Sequence, residues 1–179
     1  MRCFIALPLP DALVDALEPL LEAMPVGYPL SPENLHLTLA FLGEQPDFQL
    51  QAVHEALTDL RLPKFSLQLS GLGTFGEANP HTVWAGLKEA TAVNALQSKV
   101  MGALHRAELT LPHRRFRPHV TLARLGRLGP GEDEKLARFL SKRHSFSCPE
   151  VEIESFALYQ SLRTKAEPVY EILSDYPLI

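Results

Sequence analysis

The sequence predicts an α+β fold with antiparallel sheets, built from two closely joined lobes. Candidate strands and helices are mixed, without the regular β-α-β alternation of a doubly wound parallel sheet. A nine-residue segment also occurs twice, as LHLTLAFLG (35–43) and PHVTLARLG (118–126). No linker or low-complexity stretch divides the chain. We therefore expect residues 1–179 to form a single domain of two intertwined lobes, each holding one copy of the segment.

The first half of the chain predicts the order strand, helix, strand, helix, strand, strand. The expected ranges are 2–9, 10–24, 35–42, 46–60, 64–75 and 82–87. Pro19 is expected to break or kink the first helix. Residues 27–34, which are rich in Gly and Pro, are expected to form a loop. Apolar residues at helical spacing define the buried side of the second helix, namely Phe48, Val53, Ala56, Leu57 and Leu60.

The second half follows a similar order. A helix over 90–107 carries Val93, Leu96, Val100, Met101 and Leu104 on one side. A basic loop then leads into a strand within 114–125, followed by a charged helix over 131–143. Closing strands are expected over 151–162 and 168–173.

The overall composition is that of a soluble globular protein, with 46% hydrophobic and 21% charged residues. No apolar run is long enough to span a membrane, and the N-terminus is typical of a strand and not of a signal peptide. The only cysteines are Cys3 and Cys148, without a Cys-x-x-Cys pair. These features predict a cytoplasmic protein with no membrane partner.

The charge is mildly acidic overall, with a formal net charge of −4. This argues against a protein that grips a long nucleic-acid duplex. Basic residues are nevertheless concentrated between Arg106 and Arg127, where Glu108 is the single acid; they include Arg114, Arg115, Arg117 and Arg124. This segment is either a solvated basic loop or a site for a few phosphates.

Polar side chains share one face of both repeated strands. Residues two apart in a strand point to the same side, so His36 lies beside Thr38, and His119 beside Thr121. The opposite face is apolar and is predicted to be core; it carries Leu35, Leu37, Leu39, Phe41, Val120 and Leu122. Because buried polar groups need partners, we expect the histidine and threonine face to line a wet cleft.

Two such pairs suit phosphoryl chemistry without a metal. If an approximate two-fold axis relates the lobes, two imidazoles and two hydroxyls converge on one small target. Displacement at phosphorus needs a base and an acid, and two histidines with ordinary pKa values of about 6.5 supply both. Threonine hydroxyls can donate to the non-bridging oxygens, and an added arginine would neutralise their charge.

Three other functions remain open on the residues alone. A metal site would be expected to show His-x-His, His-x-x-x-His or clustered aspartates, which do not flank these histidines. A Ser-His-Asp hydrolase would be expected to show Gly-x-Ser-x-Gly, which is missing. A non-catalytic ligand-binding module could keep the same cleft. The enzyme and this module are distinguished by changing a single histidine, because only an enzyme then loses turnover, while it can keep its ligand affinity.

At these residues the sequence resembles the 2H phosphoesterases, named for two His-x-Thr/Ser motifs. Among them it most resembles the bacterial and archaeal RNA 2',3'-cyclic phosphodiesterases, historically called 2'-5' RNA ligases. The resemblance covers nearly the whole chain, through RCFIALPLP, NLHLTLAFLG, GLGTF, VWAGL, RPHVTLAR and the closing LYQSL and PVYEIL. One departure precedes the first motif, where an aromatic residue, often Trp, is expected near residues 28–31 and only Tyr28 is present.

The resemblance implies a bilobal fold whose sheets and flanking helices are related by a pseudo-two-fold axis, with the active-site cleft between the lobes. It implies hydrolysis of RNA 2',3'-cyclic phosphate ends to 2'-phosphomonoesters, with possible 2'-5' ligation of a 5'-hydroxyl end. It implies no metal or cofactor. The expected partner is RNA with such an end, or a cyclic nucleotide. Another small cyclic phosphate is the alternative substrate, and a monomer is the default expectation.

The family pattern assigns roles to six residues. His36, Thr38, His119 and Thr121 form the catalytic quartet, with His36 as general acid and His119 as general base in our hypothesis. Arg124 takes the phosphate-binding position of His-x-Thr-x-x-Arg, although strict alternation turns it away from His119 unless the strand ends or bulges near Ala123. Phe4 takes the position of a cleft aromatic, which could stack on a base. The remaining histidines are expected at the surface: His54, His81, His105, His113 and His144.

Overall fold

The computed structural model describes residues 1–165 and 167–179, and its fold is α+β as predicted. The strands are β1 Arg2–Pro8, β2 Tyr28–Pro29, β3 His36–Glu44, β4 Phe65–Leu67, β5 Leu69–Phe75, β6 Thr82–Leu87, β7 Val120–Arg124, β8 Val151–Ile153, β9 Ser155–Leu162 and β10 Val169–Pro177. The helices are α1 Asp11–Glu22, α2 Asp47–Thr58, α3 Thr91–Arg106 and α4 Glu132–Lys142, with a short 3-10 helix at Pro32–Asn34.

The strands form two antiparallel sheets, as expected from the irregular order of elements. The larger sheet has the order β10-β9-β1-β3-β7-β6-β5, with β2 also paired to β7, and the smaller sheet pairs β4 with β8. Side chains of one face of the large sheet, including Ile5, Leu37 and Leu122, share the main core with residues of all four helices. The opposite face carries a separate cluster in which the aromatic rings of Phe4, Tyr159 and Tyr170 pack with Ala6 and Ala157. We call this opposite face the cleft face.

The large sheet consists of two halves that meet at one residue pair. The first half-sheet contains β1, β3, β9 and β10, and the second contains β2, β5, β6 and β7. β3 and β7 join them through the antiparallel pair Leu37 and Val120, both fully buried. These two residues hold the same position in the two copies of the repeated segment. The approximate two-fold relation of the halves therefore passes through this pair.

A β-bulge occurs at the same position of both copies. Along β1, Ile5 and Ala6 pair with Ala40 and Thr38, so the register skips Leu39. Along β6, Val83 and Trp84 pair with Ala123 and Thr121, so the register skips Leu122. A bulge places one extra residue in a strand and reverses the side on which the following residues point. The repeated sequence thus produces a repeated distortion of the backbone.

The bulges move two side chains relative to strict alternation. Phe41 pairs with Phe4, and Thr38 pairs with Ala6, two residues further along β1. Residues two apart in a strand share a face, so Phe41 points to the cleft face together with Thr38. The prediction that Phe41 is a core residue is wrong, because its side chain is 67% exposed. Arg124 pairs with Thr82 and reaches the cleft face in the same way, as the bulged alternative required.

Several helix and strand predictions need correction. α1 continues through Pro19, so the predicted break is wrong. Pro19 lies on the exposed side of this helix, where the carbonyl oxygen left without its N–H partner can bond water. Phe48 is 76% exposed and does not belong to the buried side of α2. The strand predicted over 64–75 divides at Gln68 into β4 and β5, which belong to different sheets.

Two further observations concern the whole of the described chain. Within residues 1–165 and 167–179, no helix has the length and apolar character required to cross a membrane. Cys3 and Cys148 are both buried free thiols. Burial raises the pKa of both, which keeps them in the less reactive thiol form.

Candidate active site

The four predicted catalytic side chains surround the pair that joins the half-sheets. His36 and Thr38 flank Leu37, and His119 and Thr121 flank Val120. In an antiparallel pair, the residue before one partner lies beside the residue after the other. His36 therefore lies beside Thr121, and Thr38 beside His119. All four side chains occupy the cleft face, and all four residues are partly exposed.

Each histidine is held by the backbone carbonyl two residues before it. His36 Nδ1 lies 2.7 Å from the carbonyl oxygen of Asn34, and His119 Nδ1 lies 2.6 Å from that of Arg117. A carbonyl oxygen only accepts hydrogen bonds, so Nδ1 carries the proton in both rings. In the neutral imidazole Nε2 then has a free lone pair. The two rings therefore share one tautomer, with Nε2 available to accept or carry a proton.

The environment shifts the pKa of the two histidines by different amounts. Burial lowers the pKa of His36 to about 4, against an opposing effect of the Asn34 carbonyl, and the charges of Arg124 and His119 lower it further. Burial and Arg124 also lower the pKa of His119, but by less, while the Arg117 carbonyl opposes them. Both rings are thus neutral in the free protein at pH 7, and His119 takes up a proton more readily than His36.

Aromatic rings cause much of the burial of His36. Its ring lies 4.8 Å from that of Phe4 and meets Tyr170 edge-on at 5.2 Å, and Phe4 is itself stacked on Tyr159 at 5.0 Å. Phe4 does point to the cleft face, but it is only 3% exposed. Its ring is therefore covered by its neighbours and supports the ring of His36. That Phe4 stacks on a base stays a prediction. In the other half, Phe75 meets His119 edge-on at 4.8 Å.

Arg124 lies close enough to both histidines to influence their protonation. It is exposed, and its Nη1 donates a hydrogen bond to Thr82 Oγ1 at 3.2 Å. Thr82 is buried in β6 directly opposite Arg124. It holds one nitrogen of the guanidinium group, and the other N–H groups remain available to bind a phosphate. Tyr28 pairs with Arg124 from β2 and is 73% exposed. The tyrosine that precedes the first motif therefore stands at the Arg124 end of the cleft face.

A hydrogen-bonded network behind His36 could not be predicted from the sequence. Asn34 is buried, and its Nδ2 donates to Glu167 Oε2 at 3.2 Å and to the Pro168 carbonyl oxygen at 3.0 Å. Glu167 also accepts a hydrogen bond from Ser31 Oγ at 2.7 Å, and these bonds lower the pKa of its carboxyl group. The network ties the segment that leads into His36 to the segment that leads into β10.

The other titratable residues mostly lie where the sequence suggested. His81, His105, His113 and His144 are exposed, whereas His54 is half-buried and its Nδ1 lies 3.0 Å from Tyr176 Oη. The basic residues Arg114, Arg115 and Arg117 are exposed just before His119. Among the residues that the structure describes, no three His, Cys, Asp or Glu side chains are grouped as a metal site would require.

Comparison with known proteins identifies the family of this chain. Residues 8–165 match the family model described as the 2'-5' RNA ligase superfamily. The chain belongs to the 2'-5' RNA ligase superfamily. The resemblance drawn from the two His-x-Thr motifs is thereby confirmed.

Individual members of the superfamily are similar over nearly the whole chain. The RNA 2',3'-cyclic phosphodiesterase of Archaeoglobus fulgidus is 32% identical over 97% of this chain and 98% of that protein. The protein of the same name from Geobacillus stearothermophilus is 34% identical over 98% of this chain and 57% of that protein. The crystal structure of TT0787 from Thermus thermophilus has a TM-score of 0.80 and 28% identity, covering 99% of this chain and 98% of that chain.

Proposed function

We propose that this protein hydrolyses RNA 2',3'-cyclic phosphate ends to 2'-phosphomonoesters, by acid–base catalysis between two histidines and without a metal. The supporting observation is the pair of histidines around one strand junction, each with Nδ1 bonded to a carbonyl and Nε2 unprotonated. The named relatives support the same substrate. With a 5'-hydroxyl end in place of water as the attacking group, the same site would break the P–O3' bond and join the two ends in a 2'-5' linkage.

The proposed step is a displacement at phosphorus. Water attacks the phosphorus opposite O3', a base removes its proton, and the P–O3' bond breaks while an acid protonates O3'. The products are a 2'-phosphate and a 3'-hydroxyl. Thr38 and Thr121 donate hydrogen bonds to the non-bridging oxygens, and Arg124 offsets the negative charge that grows on them.

The two histidines are assigned opposite roles to those expected from the sequence. The pKa of His36, lowered to about 4, keeps this ring neutral and suited to accept a proton from water. His119 is protonated more readily, and the charge of a bound phosphate would favour its protonated form further. We therefore assign His36 as general base and His119 as general acid.

The first experiment uses an RNA oligonucleotide that ends in a 2',3'-cyclic phosphate, with EDTA present. Wild type should convert it to the 2'-phosphate, and His36→Ala and His119→Ala should both lose this conversion. His144→Ala changes an exposed histidine far from the motifs in sequence and is the matched control. Absence of conversion by wild type, or full activity of either motif variant, would contradict the proposal.

A substrate with sulfur in place of O3' tests the assignment of roles. A thiolate leaves without being protonated, so this substrate no longer needs the general acid. His119→Ala should then recover much of its lost rate, whereas His36→Ala should not. Recovery by His36→Ala alone would restore the original assignment, with His36 as the acid.

The exposed arginines before His119 support an RNA chain, and not a lone nucleotide, as the substrate. Arg114, Arg115 and Arg117 add positive charge beside one of the two catalytic rings. Replacing all three by alanine should raise KM several-fold for an oligonucleotide and leave a cyclic mononucleotide unaffected. A control that removes Lys135, Arg138 and Lys142 of α4 deletes the same charge elsewhere. Equal effects of both triple variants would count against RNA contact by this loop.

We also propose that the protein acts as a monomer in the cytoplasm. The two buried free thiols are compatible with a reducing compartment. Analytical ultracentrifugation at micromolar concentration tests the monomer, and fractionation of the host cell tests the location.

A further inference from the structure

His81 is an exposed histidine that the proposed reaction does not use, yet it lies two hydrogen bonds away from Arg124. Its Nδ1 is 3.0 Å from Thr82 Oγ1, and the same oxygen accepts a hydrogen bond from Arg124 Nη1 at 3.2 Å. Thr82 itself is only 2% exposed, so its hydroxyl group depends on protein partners. The three side chains therefore form one hydrogen-bonded chain, which we call the His81 chain.

The direction of the His81 chain follows from the donors and acceptors that it contains. An arginine only donates, so Arg124 occupies a lone pair of Thr82 Oγ1, and the buried hydroxyl proton needs a different acceptor. His81 Nδ1 lies at the right distance, and it accepts when the proton of the neutral ring is on Nε2. His81 thus has the opposite tautomer to His36 and His119, whose Nδ1 atoms carry the proton. Hydrogen bonds that run in one direction polarise and strengthen one another.

The backbone holds His81 in place on both sides. Its N–H donates to the Phe75 carbonyl oxygen at 2.9 Å, and its carbonyl oxygen accepts from the N–H of Leu125, also at 2.9 Å. Leu125 directly follows Arg124, so His81 is joined to this part of β7 through its backbone as well. Gly76 leaves room for the imidazole, because a Cβ at that position would come within 2.8 Å of His81 Cδ2. The ring is therefore held where it can orient the neighbouring hydroxyl group.

The first half-sheet has a corresponding pair of residues with different chemistry. Thr82 pairs with Arg124 beyond the bulge of the second copy, and Phe4 pairs with Phe41 beyond the bulge of the first. Thr82 and Phe4 are both buried, and both of their partners are exposed. The rings of Phe4 and Phe41 lie 6.1 Å apart, whereas Thr82 offers an oxygen to a guanidinium group. In each half the buried residue is of the kind that its exposed partner can bind, so the Thr82 hydroxyl is matched to Arg124.

We propose that His81 is a positioning residue for Arg124 and acts through Thr82. By accepting the hydroxyl proton, His81 keeps a lone pair of the Thr82 oxygen turned toward the guanidinium group. The remaining N–H groups of Arg124 are then held toward the phosphate between the two histidines of the motifs. This inference rests on the proposed function for the role of Arg124. Orienting the cation before substrate binds reduces the conformational entropy that a free arginine side chain would lose.

Steady-state kinetics on an RNA oligonucleotide with a 2',3'-cyclic phosphate end test this role. His81→Ala and Thr82→Val should each lower kcat/KM by roughly three- to tenfold, the effect of one lost hydrogen bond. His81→Asn should restore most of the loss, because its side-chain oxygen can accept a hydrogen bond near the position of Nδ1. His144→Ala is the matched control and should keep full activity. His144 is also exposed, and its Nδ1 also has a partner, the Ser141 carbonyl oxygen at 2.9 Å.

A double variant separates positioning from a general effect on folding. If His81 acts through Arg124, adding His81→Ala to Arg124→Gln should cause no further loss of kcat/KM. A merely structural role would lower activity by the same factor in both backgrounds, and that result would overturn the proposal. Full activity of His81→Ala, or no rescue by His81→Asn, would overturn it as well. Because His81 is exposed, these variants are expected to fold even if Thr82→Val does not.

The mobility of the Arg124 guanidinium group separates this inference from the proposed function, because it is measured without substrate. NMR of the guanidinium nitrogens should show slow rotation about the Nε–Cζ bond in wild type and in His81→Asn, and faster rotation in His81→Ala. If wild type hydrolyses no cyclic phosphate but shows this pattern, the proposed function fails and His81 still positions the cation. Equal rotation rates in wild type and His81→Ala would overturn the inference, even if hydrolysis is observed.

Discussion

The two halves of the cleft use the same motif in different surroundings. Both histidines donate Nδ1–H to a carbonyl two residues earlier, and both strands bulge at the same leucine position. His36, however, lies against Phe4 and Tyr170, while His119 follows an exposed arginine-rich loop. The repeated sequence thus sets a common geometry, and the surroundings separate the two pKa values. A symmetric pair of groups can in this way take the unequal tasks of acid and base.

The largest effect is expected from removing the members of the pair. His36→Ala and His119→Ala should each lower kcat by roughly 10²–10⁴, the usual contribution of general acid–base catalysis. The double variant should lose little more than the weaker single variant, because the two rings act in one step. Single-turnover kinetics on the cyclic phosphate would show this. If instead the fold-losses in kcat of the two single variants multiply in the double variant, the two histidines contribute independently.

Removing the cation that both halves share should have the next largest effect. Arg124→Gln is expected to lower kcat/KM by roughly 10- to 100-fold, since a charge-assisted contact to the phosphate is lost. It should also raise the pKa of both histidines, because the positive charge of Arg124 lowers them in wild type.

The pH dependence of kcat/KM for Arg124→Gln checks both effects of the cation, and Arg127→Gln at an exposed neighbouring position is the control. If the variant is less active but its pH profile shows the same pKa values as wild type, Arg124 contacts the substrate without influencing the protonation of the histidines.

The pH profile of wild type tests the unequal pKa values directly. As base, His36 must be neutral, so activity should fall as pH drops through about 4. As acid, His119 must be protonated, so activity should fall as pH rises through its pKa, which burial holds below the ordinary 6.5. The maximum of kcat/KM should therefore lie on the acid side of pH 6.5, with up to about a tenfold decline per pH unit above it. A flat profile between pH 5 and 8 would contradict the two-histidine scheme.

A smaller effect should follow from loosening only the first half. Asn34→Ala breaks the bonds to Glu167 and Pro168 but keeps the backbone carbonyl that holds His36. We expect a loss of about 1 kcal/mol in the free energy of unfolding and a several-fold fall in kcat. Urea unfolding and steady-state kinetics measure the two quantities. Asn94→Ala, at an exposed position of α3, should change neither. Unchanged kcat would show that the carbonyl alone positions the ring.

The parts of the site that are local in sequence were predictable, and the parts that depend on distant partners were not. The His-x-Thr pairs could be placed on one strand face because alternation follows from the backbone itself. The bulges depend on the register with β1 and β6, so the exposure of Phe41 was missed and Arg124 could be placed only conditionally. The Asn34–Glu167 contact joins residues 133 positions apart, so no local sequence pattern predicts it.

The same distinction explains the errors in the fold. Pro19 is expected to break or kink α1 because proline lacks the N–H of a helical bond. The helix continues because Leu17, before the proline, and Leu20 and Leu21, after it, are all buried. Their packing outweighs the one missing hydrogen bond. Phe48 matches the helical period but lies outside the buried face of α2, which carries Leu50, Val53 and Leu57.

The junction at Leu37 and Val120 has a mechanical consequence. The two half-sheets pair with each other through these two residues, and both side chains are fully buried in the core that the halves share, so their volumes help to set how closely the half-sheets approach. A change of volume at either residue is expected to alter the distance between the two imidazoles without any substitution in the proposed catalytic quartet. A substitution at Leu37 or Val120 is expected to change which size of cyclic phosphate fits between the two rings. Each half-sheet can then vary in sequence independently of the distance between the imidazoles.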